Sequence, residues 1–378
     1  MREIRWLSTL ALSLLAIVLA GYLASRSDGV RAAPAPAQSG TLTLQSTPDM
    51  PESLRASPRA GTPAVAAAPA YLGNSPHMGP SGVYFFYDYR HVSPQTYPIV
   101  GGHVTVQWKT LQPASDTYDW AWLDNYLTAD WQYGKPDAVG LDTYDGACCG
   151  GIGVPDYVFR RYPAAKVTCN GEEIPKYWDP GYQQEYGNFI RAFGARFNGD
   201  PRISFVEIGV GLFGETQPAQ DQYDACLQAA GLTQSLWIEY AQWAIDRYVE
   251  AFPDTQLVVE YAPRFLSSCE RKTITDYAAN RGVGLQHSGL KPDGGSGVII
   301  DDPTTGVAGC GQYDPILKWG NQVVTGWEGT EWPDAYGPDA TLWRLLSGLD
   351  KHADFILIDD KQVMDPARWP YIDFANAH

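Results

Sequence analysis

Two glutamates carry the clearest chemistry this chain offers. Glu215 closes the run Ile203-Ser-Phe-Val-Glu-Ile-Gly-Val-Gly-Leu-Phe-Gly-Glu215, and Glu328 closes Gln322-Val-Val-Thr-Gly-Trp-Glu328, 113 positions later. Each stands where a strand-like run of apolar and small residues gives out into a loop. Cleaving an acetal needs one carboxyl group to protonate the leaving oxygen and a second to attack the anomeric carbon or activate water. Glycines around Glu215 leave room beside its carboxyl, which suits the acid/base, while Glu328, between Trp327 and Gly329, suits the nucleophile. One glutamate at a strand end is ordinarily solvated or ion-paired. Two at matching ends point to catalysis. Glu331 is the rival nucleophile, and Glu207 and Glu260, deeper within their runs, read as buried, paired structural groups.

Neighbouring strand ends supply the rest of a cleft. Trp108 and Lys109 follow the second strand, Asp142 and Tyr144 the third, Tyr261 and Arg264 the fifth, Gln286 and His287 the sixth, and Asp359 the eighth. Each alone is explained by packing or a structural hydrogen bond. Together with Trp327 they make a polar, aromatic-rimmed substrate-binding cleft suited to a neutral polyol, in which His287 could orient a carboxylate. Competing motifs fail. Gly209-Val-Gly-Leu-Phe-Gly214 matches a dinucleotide fingerprint, but Glu215-Thr-Gln-Pro follows where an apolar helix should begin. There is no GxSxG elbow, P-loop, HExxH or CxxC, and Asp301-Asp-Pro-Thr-Thr-Gly306 reads as a turn rather than a calcium loop. No metal and no cofactor is implied.

What positions these residues is an alternation of short β-like runs with amphipathic stretches, the pattern of a parallel sheet covered by helices. Strands are expected to end near Tyr87, Trp108, Thr143, Gly211, Tyr261, His287, Glu328 and Asp359. Helices are expected over Asp119 to Trp131, Gly181 to Phe197, Gln234 to Phe252 and Leu342 to Leu349, with Thr233 as a cap and Pro253 as a terminator. No helix is visible between the first two strands, and those after the fifth and sixth look short. Eight strands in about 280 residues fit an α/β fold of the (β/α)8 TIM barrel type, whose chemistry sits at the C-terminal ends of its strands. A doubly wound open sheet is the competing architecture.

The segment Val104-Thr-Val-Gln-Trp-Lys-Thr-Leu-Gln-Pro-Ala-Ser-Asp-Thr-Tyr-Asp-Trp-Ala-Trp-Leu-Asp124 resembles the second-strand region of clan A glycoside hydrolases, the retaining β-glycosidase superfamily. A strand ends in an aromatic, a Leu-x-Pro turn follows, and a Tyr-Asp-Trp-x-x-Leu-Asp helix start comes next. On the helix itself, Trp120, Leu123 and Leu127 share one face at helical spacing. The resemblance extends weakly from about Gly82 to Asp360. It implies an acid/base after the fourth strand and a nucleophile ending the seventh, which map onto Glu215 and Glu328. Clan A enzymes usually carry Asn immediately before the acid/base. This chain has Gly214.

Composition bounds the partners and the address. The 378 residues are 44% hydrophobic, and 27 basic against 43 acidic residues give a net charge of -16 with no basic cluster, which excludes nucleic acid. The 13 Trp and 23 Tyr suit sugar stacking and a packed core alike, with the core as the ordinary place for them. Arg2 and Arg5 precede an apolar stretch from Trp6 to Ala24, either a signal-anchor or a long signal peptide with a small-residue site near Ala32. Residues 25–78, dominated by Ala, Pro, Ser, Thr and Gly, read as a disordered linker, with the folded domain spanning 79–378. Cys148, Cys149, Cys169, Cys226, Cys269 and Cys310 are expected in disulfides, the adjacent pair taking separate partners. The expectation is an extracellular or cell-surface glycosidase, membrane-associated only through its N-terminal segment. The alternatives are a non-catalytic barrel that binds carbohydrate, and a lyase or transglycosylase using the same cleft.

Overall fold

The structure, a computed structural model, describes residues 78–261, 265–267, 269–290, 309–329 and 340–378. The apolar stretch from Trp6 to Ala24, the linker up to residue 77, Arg264, the Asp301 turn and Glu331 lie outside the described residues. No helix among the described residues is long and apolar enough to cross a membrane.

Eight parallel strands close into a barrel in sequence order: β1 (Gly82–Phe85), β2 (Gly101–Gln107), β3 (Asp137–Asp142), β4 (Ile203–Glu207), β5 (Leu257–Tyr261), β6 (Gly284–Ser288), β7 (Thr325–Glu328) and β8 (Phe355–Ile358). β8 pairs with β1, so the open doubly wound sheet is ruled out. Helices follow seven of the strands: α1 (Ala121–Trp131), α2 (Pro180–Phe197), α3 (Gln234–Ala251), α4 (Cys269–Ala279), α5 (Asp314–Trp319), α6 (Ala340–Asp350) and α7 (Trp369–Asn376). β1 runs to β2 through irregular chain, as the sequence suggests.

Local chemistry accounts for the helices that matter most to the site. Asp179 caps α2 by accepting hydrogen bonds from the Gly181 and Tyr182 amides, and Pro180 fills the first turn. Tyr182, Tyr186, Phe189, Phe193 and Phe197 then recur at helical spacing on its buried face. Thr233 caps α3 through the Leu236 amide, and Trp237, Tyr240, Ala244 and Tyr248 line the buried face of that helix.

Inside the barrel, character changes along the axis. The N-terminal half is plugged by Tyr84, Ala138, Phe205, Val258, Val324, Phe355 and Leu357. Large side chains are matched by glycines. A Cβ on Gly326 would fall 2.1 Å from the Phe355 ring, so the two positions interlock. One layer up, the interior turns polar: His103 Nε2 lies 2.9 Å from Glu207 Oε2, and a Cβ on Gly140 would fall 2.7 Å from the same carboxylate oxygen.

Six cysteines form three disulfides: Cys148–Cys149, Cys169–Cys226 and Cys269–Cys310. The adjacent pair is therefore joined to itself, against the expectation of separate partners. Cys169 closes an antiparallel hairpin (Lys166–Cys169 with Glu172–Pro175), which the second disulfide ties to the short helix Asp224–Ala229. All three bridges lie in segments leading from a strand to the following helix, the same end of the barrel as Glu328.

Candidate active site

A detour in the backbone places Glu215. The ladder between β4 and β5 runs Val206 N to Gln256 O (2.9 Å) and Ile208 N to Val258 O (2.8 Å), and its next rung is Thr216 N to Glu260 O (3.1 Å). Residues 209–215 leave the ladder and Thr216 rejoins it where Val210 would have stood. The strand therefore ends at Glu207, four residues before the expected Gly211. The turn depends on left-handed backbone at Phe213 (φ 56°) and Gly214 (φ 81°). A Cβ on Gly214 would also lie only 3.4 Å from Asp142 Oδ1.

Aromatic side chains from outside the barrel hold this detour by their polar edges. Tyr186 donates to Gly209 O (2.7 Å), Tyr240 to Val210 O (3.0 Å), Trp237 to Thr216 O (3.1 Å) and Tyr177 to Pro218 O (3.0 Å). Buried carbonyls need such donors. The Tyr and Trp content of the chain thus serves a packed core whose hydroxyls and indole fix a functional loop.

Acidic side chains crowd the mouth. Glu215 is buried; its Oε2 accepts from Gln217 Nε2 (2.9 Å) and its Oε1 lies 2.8 Å from Ser288 Oγ. The same Ser288 oxygen lies 2.7 Å from Glu260 Oε1. A hydroxyl has one proton to give. Both contacts are complete hydrogen bonds only when one carboxyl is protonated and donates to the serine oxygen. Burial, reinforced by the charges of Glu215, Glu328 and Glu207, pushes the Glu260 carboxyl well above the usual range. Asp142 is likewise held well above the usual range, by burial and then by Asp145, with Glu207 and Glu215 adding to it. Burial also raises Asp145, opposed by its hydrogen bond from Gln107. A small cavity of about 10 Å³, room for one water, lies among Thr105, Asp142, Glu207, Gly214 and Glu260. No cluster of potential metal ligands occurs among the described residues.

The structure sorts the expected cleft residues by strand face. Ser288 pairs in register with Glu328, and Glu260 with Gln286, so Glu328 shares the inward face with Ser288. Glu215 meets Ser288, the in-register neighbour of Glu328, so the two expected residues approach the same part of the mouth. Asp142 belongs to this mouth. Lys109 reaches it at the rim, donating to Ile152 O (2.6 Å) and opposing the raised Asp145.

Tyr261, His287 and Trp327 do not line the cleft. They sit side by side in register on the opposite face, where His287 packs edge-on to Tyr261 (5.0 Å) and to Tyr313 (5.2 Å) at the start of α5. Trp108 is also withdrawn. β2 ends one residue earlier than expected, and Trp108 is buried against Tyr186 and Phe189 of α2, its indole donating to Gln112. Tyr144 is buried with its hydroxyl on Glu172 of the hairpin, and Asp359 caps the short helix Asp360–Val363. The residues not expected at the mouth are Glu260, Ser288, Glu207, His103 and Gln107.

No protein-family model and no curated protein sequence matches the chain. Among solved structures, the catalytic domain of a beta-amylase from Paenibacillus polymyxa superposes with a TM-score of 0.52 at 9% identity, covering 73% of this chain and 91% of that one. A beta-galactosidase from G. stearothermophilus and an exo-beta-1,4-mannosidase from an Opitutaceae bacterium each give 0.49, at 10% and 11% identity over 82% of this chain. This chain spans 57% and 62% of their respective lengths. At the amylase's level of identity the likeness is one of fold alone.

Proposed function

We propose that the protein is a glycoside hydrolase acting on a neutral extracellular carbohydrate, with Glu215 as acid/base, Glu328 as nucleophile and retention of configuration. The observation that carries the reading is Glu215 hydrogen-bonded to Ser288, the in-register neighbour of Glu328, at the C-terminal mouth of a closed parallel barrel. In the first step Glu215 gives its proton to the leaving oxygen as the glycosidic C–O bond breaks, while Glu328 attacks the anomeric carbon. Water then attacks the glycosyl ester, and Glu215 takes its proton. Lys109 and Asp142 are the expected residues best placed to meet substrate hydroxyls. An oxidising location agrees with the disulfides, since such bonds persist outside the cytosol.

The test is a panel of aryl and oligomeric glycosides, with the anomer of the first product followed by proton NMR. Glu215→Gln and Glu328→Gln are each expected to lower kcat by about 10²-fold or more. Full activity in both variants would overturn the assignment. An inverted first product would leave hydrolysis standing and remove the nucleophile role from Glu328.

A further inference from the structure

Beside the mouth lies an aromatic surface that the hydrolytic step does not use. A cleft of about 290 Å³ opens between the β1–β2 connection and α1, lined by Tyr89, His91, Trp122, Asn125 and Tyr126. Tyr89 is 59% exposed and Trp122 40%, large rings left in water although most aromatics among the described residues are buried. Exposed aromatic surface of this kind marks a binding face.

The floor of the cleft is rigid. Lys135 is fully buried between Asp88 and Asp130, and Asp130 Oδ1 also meets His91 Nδ1 at 2.7 Å. Tyr126 donates to Asp88 O at 2.7 Å. The rings are therefore presented on a fixed base, which limits the entropy lost on binding.

A run of ring contacts leads from the cleft towards the mouth. Trp122 stacks on Tyr126 (5.9 Å, 25° between planes), and Tyr126 meets Tyr89 edge-on at 6.3 Å. Tyr89 stacks parallel to Tyr87, 6.1 Å away with 4° between the ring planes. Tyr87 contacts His103, the partner of Glu207, and its phenol is raised by burial and by Asp142, Glu328 and Glu260. A line of rings thus runs from the carboxylates to the outer surface.

We propose that Tyr87, Tyr89 and Trp122 form a track for a neutral polysaccharide, seating sugar units beyond the one that is cleaved. The inference rests on the hydrolase reading for its direction, but the binding stands by itself. A pyranose offers C–H bonds on its faces and hydroxyls on its rim. It needs ring faces with polar groups between them, which the Asn125 amide, His91 and the phenols provide. The net charge of -16 disfavours uronate or sulfated chains.

The test is affinity electrophoresis of the full chain in gels containing mixed-linkage β-glucan, galactomannan, soluble starch or polygalacturonate. At least one neutral polymer is expected to retard the protein, and polygalacturonate is not. Trp122→Ala and Tyr89→Ala are each expected to weaken retardation about tenfold, while Trp122→Phe, which keeps a ring face, restores most of it. Trp131→Ala, 42% exposed at the far end of the same helix, serves as the control and is expected to bind like the parent. Near-UV circular dichroism checks the fold of each variant. Retardation by no neutral polymer, equal retardation by polygalacturonate, or unchanged binding in both alanine variants would overturn the track and leave the hydrolase reading intact. Ring-dependent binding in a protein that hydrolyses nothing would leave the track standing and remove the hydrolase reading.

Discussion

Glu215 and Glu260 stand on either side of one hydroxyl, that of Ser288, at 2.8 and 2.7 Å. Glu215 comes from the detour after β4, Glu260 from β5 and Ser288 from β6. The pair is therefore a coupled acid: its protons leave in two steps that belong to both residues.

That coupling predicts a pH signature. On the proposed mechanism hydrolysis needs a proton on Glu215, and charge repulsion between the Glu215 and Glu260 carboxyls helps the pair to keep one. Glu260→Gln removes that repulsion, so the basic limb of the kcat/KM profile is expected to move to lower pH. Stability follows with a definite sign. A carboxyl raised in the folded state contributes fully below its unfolded pKa of about 4.3, and the contribution is lost as pH rises through the folded value. Melting temperatures of Glu260→Gln are expected to match the parent near pH 4 and exceed it at neutral pH. A parallel pair of Tm curves would rule the raised carboxyl out.

Tyr240 tests the outside support of the acid. Tyr240→Phe leaves the Val210 carbonyl without that donor, a loss of about 1 to 3 kcal/mol in urea unfolding. The kinetic effect is expected mainly in kcat, because the loop that aims Glu215 loosens while the rest of the cleft stays.

Gly214 separates strain from bulk. Gly214→Val forces a branched residue into left-handed backbone and is expected to cost about 1 to 2 kcal/mol. Asn tolerates that region, so Gly214→Asn is expected to fold with a smaller loss. Equal destabilisation in both would show that contact with Asp142, rather than the dihedral, sets the constraint.

The Cys169–Cys226 bridge closes a 57-residue separation at the mouth end of the barrel. Replacing both residues by serine is expected to cost about 2 to 4 kcal/mol by thermal unfolding.

Lys135 is fully buried with Asp88 and Asp130. Lys135→Met strands those carboxyls and is expected to cost about 3 to 5 kcal/mol in denaturant titration. Polysaccharide retardation should fall with it, since the Tyr89 and Trp122 rings rest on that base.

The sequence was most readable where period and punctuation act locally. α2, α3 and the ends of β5 and β7 fall within a residue of expectation, because caps, helical spacing and the Glu328 loop are written in adjacent residues. The side chains of the site were harder, for one geometric reason. Strand residues alternate faces, so an error of one position exchanges the inside for the outside. Trp108, Tyr261, His287 and Trp327 each neighbour the inward residue: Gln107, Glu260, Ser288 and Glu328. Glu260 stands one residue before the end of its strand, on the face opposite Tyr261, and a shift of one position recovers it. The rejoining of the ladder at Thr216 is not recovered so, since it depends on a pairing partner 44 residues away in sequence.

The detour at residues 209–215 has a consequence for how this site could change. A segment that leaves a ladder and returns to the next rung makes its own length invisible to the barrel. Its ends are fixed by Ile208 and Thr216, and much of its anchorage comes from α2 and α3. The interior can therefore be lengthened, shortened or exchanged as a cassette without shifting the register of any strand, and the acid keeps its address while the walls beside it are rewritten.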